Sequence, residues 1–363
     1  MDVLYFTNIP SPYKVDFLNE LNKYVNVTCV FNSNSKDDKR DKRWYRNDFL
    51  FSSITIHNFA YKELNQLLSK NHYDIVVIAY YACINGAILM NILKRRKIKF
   101  FIAADGGFVN ENDDFISGFL KKHFLSKASY YISSGKETDK YLTYYGAEQQ
   151  YIYHAPLTSL RKKDILSNPL ETSEKEELKI KFGYNEKRVF ISVGNFIHRK
   201  GYDLFFEAIK NQKVDNTVFI IIGGGIEKQN YQKVINKYKL KNVELIDFCD
   251  KETLKKYYRM SDVFFFPSRE DVWGLVINEA MSNGLPVISS NKVIAAKELI
   301  EESFLYDPYN VEDLASLIKK MLTFSNEKLF CFGQRNIKTI KDYTIENMAN
   351  KYVEIFKEVL TND

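Results

Sequence analysis

Short runs of β-branched and aromatic residues alternate with charged, amphipathic stretches along most of this chain of 363 residues, and that alternation limits the folds open to it. Val3–Phe6, Val25–Phe31, Ile75–Tyr80, Phe100–Ala104 and Tyr130–Ser133 are apolar almost throughout, as strands buried on both faces are. Val15–Lys23 and Lys62–Ser69 lie between them and carry the mixed charge of surface helices. Strand–helix alternation of this kind predicts a doubly wound parallel sheet, an α/β fold. The pattern breaks at Leu160–Lys181, a polar and highly charged stretch that reads as a linker and a surface helix. It restarts at Val189–Val193 and continues through Thr217–Ile222, Val243–Ile246, Val263–Phe266 and Pro286–Ser289. Two domains follow, at residues 1–165 and 175–342. Val311–Phe324 and Glu346–Leu360 have helical spacing, and a last helix at about 345–363 is expected to pack back on the first domain. The strand ends of two such domains are expected to face each other across a cleft, where ligands of these folds sit.

Ile75 to Leu93 lacks charge, but Asn85-Gly86 interrupts it and Asp74 and Lys94 bound it, so a strand, a turn and a helix are expected rather than a membrane span. The N-terminus has no basic n-region and reads as no signal peptide. Cys29, Cys83, Cys249 and Cys331 are far apart and form no C-x-x-C pair, so neither a zinc site nor a disulfide scaffold is expected, and a cytoplasmic location is. A net charge of +6 suits an anionic partner, a nucleotide diphosphate or a membrane surface. Without an arginine-rich arm or basic–aromatic repeat, nucleic acid is not expected. Lys121, Lys122, His123 and Lys127 beside Phe115, Phe119, Leu120, Phe124 and Leu125 form a basic amphipathic stretch. It reads either as an ordinary surface helix or as a peripheral contact with anionic lipid headgroups.

The most informative segment is Val263–Ser290. A buried strand ends at Pro267, a polar loop carries Arg269, Glu270 and Asp271, and a helix starts near Gly274 and stops at Asn283-Gly284 with Pro286 beyond. The free N–H groups of Gly274, Leu275 and Val276 and the helix dipole favour an anion there. Asp271 precedes the helix and Glu279 lies about a turn and a half inside it. The plainer reading makes Asp271 a helix cap and Glu279 a solvated residue. Upstream, Gly194-Asn195 end a strand and lead to the paired cations Arg199-Lys200 before Gly201, either a solvated basic turn or a cradle for a diphosphate. Gly223-Gly224-Gly225 follow a strand, as a tight turn or a ligand loop would. In the first domain Asp105-Gly106-Gly107 follow a strand and by themselves read as an Asx turn with glycines at positive φ. The first strand is followed by Thr7-Asn8-Ile9-Pro10-Ser11-Pro12-Tyr13, with no G-x-G-x-x-G, which argues against a dinucleotide enzyme.

Trp273-Gly274-Leu275, Glu279-Ala280-Met281, Gly284 and Pro286-Val287-Ile288 resemble the signature of glycosyltransferase family 4, retaining enzymes of the GT-B fold with two Glu seven residues apart. Asp271 stands where the first Glu is expected, and Glu270 is one residue out of register. Ser192–Gly201 resembles the family's lysine-glycine turn, with Lys200 at the family's lysine and Asn195 at its arginine, so that Arg199 supplies the second charge. The resemblance implies a GT-B fold and sugar transfer from a nucleotide-sugar, UDP-linked, to an acceptor hydroxyl. A lipid-linked oligosaccharide in bacterial surface polysaccharide synthesis is the acceptor it implies. Catalytic roles would fall to Asp105, Arg199, Lys200 and Asp271. Donor binding would fall to Gly194, Asn195, Gly224, Glu270, Gly274, Leu275, Val276 and Glu279. No metal or other cofactor is expected, and the chain contains no Asp-x-Asp triplet. A GT-B nucleotide-sugar epimerase and a non-catalytic accessory subunit are the rival readings.

Overall fold

The computed structural model describes residues 1–32, 45–109, 115–212, 214 and 216–362, and the chain divides into two units, Met1–Ser159 with Tyr343–Asp363, and Leu160–Asp342. The first runs β1 (Asp2–Thr7), α1 (Pro12–Leu21), β2 (Asn26–Asn32), β3 (Ser52–Ile56), α2 (Tyr61–Lys70), β4 (Ile75–Ile78), α3 (Ile84–Arg95), β5 (Phe101–Ala104), α4 (Phe115–Leu125), β6 (Tyr130–Ser133), α5 (Lys136–Tyr144) and β7 (Ile152–His154). The second runs α6 (Thr172–Phe182), β8 (Arg188–Val193), α7 (Tyr202–Ile209), β9 (Thr217–Ile222), α8 (Lys228–Tyr238), β10 (Val243–Ile246), α9 (Lys251–Met260), β11 (Val263–Phe266), α10 (Leu275–Ser282), β12 (Val287–Ser290), α11 (Ile294–Leu299), β13 (Leu305–Tyr306), α12 (Val311–Leu322) and α13 (Asn326–Ile340). The chain then returns to the first unit as α14 (Ile345–Asn362), which lays Tyr352 against Phe17 of α1 with ring centroids 4.8 Å apart.

Both sheets are parallel throughout. The first has the order β3-β2-β1-β4-β5-β6-β7 and the second β10-β9-β8-β11-β12-β13. Each winds outward in two directions from its middle. The switch points lie between β1 and β4 in one unit and between β8 and β11 in the other, and ligands of open α/β sheets bind outside the strand carboxyl ends at such points. The apolar runs supply the central strands: all six residues of β9, of which only Thr217 is polar, and all four of β11 are buried. Aromatic packing unites the second core, where Phe205 stacks on Phe265 at 4.3 Å and Phe190 meets Phe219 at 5.1 Å.

Three strands differ from the sequence expectation. β3 (SSITI) exposes four of its five residues and was hidden by its polarity, while β7 and β13 have only three and two residues. Helix α13 was also missed, while the charged stretch Leu160–Lys181 lies in the second unit and carries most of α6, the surface helix expected there. Lys179 of α6, buried, donates to Asp262 at 2.9 Å, and the same carboxylate accepts the Val189 N–H at 2.8 Å, fixing the helix across the amino ends of β8 and β11.

Candidate active site

The two loops that flank the switch point of the second unit are bound to each other. After β8 the chain makes a short 3-10 turn, His198–Lys200, and leaves it at Gly201 with φ 69°. After β11 it runs through Pro267–Asp271 to α10. A Cβ at Gly201 would lie 2.0 Å from the Pro267 carbonyl oxygen, so only glycine lets the cationic turn sit this close to the second loop. Arg269 N–H donates to the Arg199 carbonyl at 2.8 Å, and Ser268 Oγ donates to the same oxygen at 3.1 Å. The Arg269 guanidinium grips Asp203 with two bonds of 2.7 and 2.6 Å and donates to the His198 carbonyl at 2.7 Å. This planar fork matches a carboxylate in a way a lysine would not.

Held in this way, Lys200 and Arg199 converge on Asp271. Lys200 Nζ donates to Asp271 Oδ2, Arg199 Nη1 lies 3.4 Å from Oδ1, and Arg199 also donates to the Glu270 carbonyl at 2.6 Å. Lys200 Nζ stands 4.6 Å from the centroid of Phe266, over the last residue of β11. Burial lowers the Lys200 pKa, an effect the Asp271 carboxylate opposes. The site thus holds two cations and one carboxylate, a formal charge of +1, beside the start of α10.

Gly274 opens that helix at φ 96°, and a Cβ there would meet Val293 Cγ1 at 2.7 Å. The first-turn N–H groups of Leu275 and Val276 have no partners within the helix. Glu279, half-buried, accepts a hydrogen bond from the Tyr258 hydroxyl at 3.2 Å. Burial, reinforced by Glu279, raises the Tyr258 pKa well above its ordinary value, so the phenol stays a donor. The Gly224 carbonyl accepts the Phe196 N–H at 2.8 Å, joining the loops after β8 and β9, and the Gly194 N–H donates to the Ile222 carbonyl at 3.0 Å. Asn195 is half-buried and its carbonyl accepts the Ile197 N–H at 3.0 Å, while Glu270 is exposed.

Within the second unit, then, Arg199, Lys200 and Asp271 form one cluster next to Gly274, with Glu279 farther along the helix. Asp105 belongs to the first unit, at the carboxyl end of β5. There it accepts the Tyr13 hydroxyl at 2.9 Å, and Lys14 Nζ lies 3.9 Å away. Sequence reasoning overlooked Tyr258, Lys14, the Phe266 face and the Arg269–Asp203 clasp. None of these has a local signature, because each partner comes from another element. On α4, Phe119 and Leu120 are exposed beside Lys122 and His123, and the side chain of Phe115 lies outside the described residues. Among the described residues no helix is long and apolar enough to cross a membrane, and no cluster of three His, Cys, Asp or Glu could hold a metal.

A cationic turn and a helix start thus meet at the switch point of a doubly wound sheet, the place where ligands of open α/β sheets bind. Residues 173–336 match the family Glycosyl transferases group 1, and residues 2–134 match Glycosyl transferase 4-like. The chain belongs to the group 1, family 4-type glycosyltransferases. It is 32% identical over 176 residues to the O-antigen biosynthesis glycosyltransferase WclY of Escherichia coli, a match spanning 47% of each chain. An uncharacterized 41.2 kDa protein in the cps region of Klebsiella pneumoniae matches equally, 32% over 47% of each chain. The chain thus spans about half the length of these curated relatives. The Anabaena protein Alr3699/HepE, solved in complex with UDP, superposes with a TM-score of 0.79 at 14% identity, covering 99% of this chain and 100% of that one. Sucrose-phosphate synthase from Thermosynechococcus elongatus gives a TM-score of 0.75 at 16% identity over 100% of both chains. These likenesses show the GT-B fold.

Proposed function

We propose that this chain is a retaining, metal-independent glycosyltransferase that moves a hexose or N-acetylhexosamine from a UDP-linked donor to an acceptor hydroxyl. The observation that carries the reading is the convergence of Lys200 and Arg199 beside the start of α10, at the switch point of the second sheet. When the bond from the anomeric carbon to the β-phosphate oxygen breaks, its electron pair moves onto that oxygen. Two fixed cations and a helix terminus are suited to receive it, and each donor aimed at developing charge is typically worth about 3–4 kcal/mol. Fixed positive charge of this kind stands in for a divalent ion. Asp271 keeps Lys200 and Arg199 together. Glu279, held by Tyr258, takes the ribose diol, with Gly194, Asn195, Gly224 and Glu270 shaping the remaining donor contacts. Asp105 orients a hydroxyl of the reacting sugar.

A UDP-linked donor is supported by the UDP complex of the structural relative, and surface polysaccharide synthesis by the O-antigen transferase among the sequence relatives. We extend this to a lipid-linked oligosaccharide acceptor at the cytoplasmic face of the membrane. The exposed Phe119 and Leu120 beside basic residues of α4 support contact with anionic headgroups there. The test is nucleoside-diphosphate release from a panel of UDP-sugars and GDP-mannose, with and without lipid-linked acceptors and with EDTA, and product anomers read by NMR. Acceptor-stimulated UDP release that survives EDTA, with retained configuration, is expected. Sugar isomerisation without acceptor, or no turnover of any donor, would overturn the reading.

A further inference from the structure

The segment after β1 places a lysine where two ordinary preferences oppose it. Pro12 opens α1 as its first residue, so Lys14 falls in the first helical turn, where the helix dipole favours anions rather than cations. Lys14 is also buried, with 6% of its surface exposed. Its ammonium donates to Thr7 Oγ1 at 2.9 Å and to Asn8 Oδ1 at 3.1 Å, both neutral acceptors. Among the described residues the one carboxylate within ion-pair distance is Asp105, at 3.9 Å. A buried cation is a cost to stability that an apolar side chain of the same volume would avoid, so packing alone does not account for it.

The geometry around Asp105 does. The Tyr13 hydroxyl and the Lys14 ammonium both address Oδ2, at 2.9 and 3.9 Å. The main-chain carbonyl of Asp105 is fixed separately by Ser134 Oγ at 3.2 Å. Oδ1 makes no hydrogen bond among the described residues, and the side chain remains 32% exposed. One oxygen is gripped and the other is presented. The surroundings favour this division. Tyr13 is half-buried, and its desolvation together with the Asp105 charge raises the pKa of its phenol, which stays a donor. Tyr352 of α14 is likewise raised by burial and by Asp105.

We propose that Tyr13 and Lys14 are positioning residues for Asp105, fixing its carboxylate through Oδ2 so that Oδ1 meets a hydroxyl of the reacting sugar in one orientation. The proposal rests on the reading of Asp105 as an active-site group. A fixed carboxylate matters because a misplacement of about 1 Å can reduce a rate about a hundredfold.

The experiment compares Tyr13→Phe, Lys14→Met and Asp105→Asn, with the double variants Y13F/D105N and K14M/D105N. The readout is nucleoside-diphosphate release with water as acceptor, from whichever of UDP-glucose, UDP-galactose, UDP-N-acetylglucosamine and GDP-mannose the wild type turns over. Melting temperatures are taken in parallel. D105N is expected to lower kcat about a hundredfold, and Y13F and K14M about tenfold each with donor KM changed less than about twofold. Each double variant should be no slower than D105N alone, because a residue that acts through Asp105 has nothing left to position. If D105N turns over normally, the role of Asp105 fails and the proposal with it. If D105N is impaired but Y13F and K14M are not, or their losses multiply in the doubles, Asp105 stands and the positioning role is refuted. Should K14M melt too low to assay, Y13F decides alone, since it removes one oxygen and leaves the ring in place.

Discussion

The balance of charge at Asp271 makes a prediction with opposite signs for two substitutions. Arg199, Lys200 and Asp271 together carry +1. Lys200→Met takes that to zero, and Asp271→Asn takes it to +2. A unit charge about 6 Å from a phosphate, at an effective dielectric constant of about 20–30, contributes about 2–3 kcal/mol, or roughly thirty- to hundredfold in affinity. UDP should therefore bind K200M about thirtyfold or more weakly than the wild type. D271N should bind it severalfold more tightly, because the carboxylate that now occupies the two cations is gone, while its turnover falls as Lys200 and Arg199 lose their common anchor. K200M should also lose about 1–3 kcal/mol of stability, less than a buried charge left wholly alone, since Arg199 still faces Asp271 at 3.4 Å. Isothermal titration with UDP at about 0.15 M and 0.5 M salt measures the affinities, and the spread among the three proteins should narrow at high salt. If K200M binds UDP as tightly as the wild type, or D271N binds it more weakly, the anion site has been placed wrongly.

Three further outcomes follow from the same structure. Gly201→Ala should lower the melting temperature by several degrees and weaken UDP binding. The left-handed backbone at φ 69° costs a non-glycine residue about 1–2 kcal/mol, and the new Cβ must push the turn away from Pro267. Tyr258→Phe should weaken UDP binding about three- to tenfold without changing the fold, since it removes a hydrogen bond to a carboxylate, as titration can show. On acidification, Asp164 should matter: burial pushes its pKa up, but hydrogen bonds from Lys255, the Arg161 N–H and Lys251 outweigh this and hold it below its ordinary value. Because the folded value is the lower one, its stabilisation is present above the unfolded pKa and is lost as pH falls through the folded value. Melting curves from about pH 5 down to 2 should therefore be shallower for Asp164→Asn than for the wild type.

The sequence by itself determined the two wound sheets, because strands buried on both faces are apolar at most positions. That leaves a readable mark in runs such as VFFF and TVFIII. It also determined the helix start at Gly274 and the pair Arg199-Lys200, since turns and caps are written within a few neighbouring residues. It did not reveal β3, whose residues are mostly exposed, or β7 and β13, too short for any periodicity to show. Nor could it reveal partners 71 residues apart, such as Lys200 and Asp271, or the pair Tyr13 and Asp105, separated by 92. Which carboxylate neutralises which cation, and which oxygen is left to meet a substrate, is a matter of distance in space. Parallel strand order sets that distance by bringing remote loops to one edge, and only the folded chain decides it.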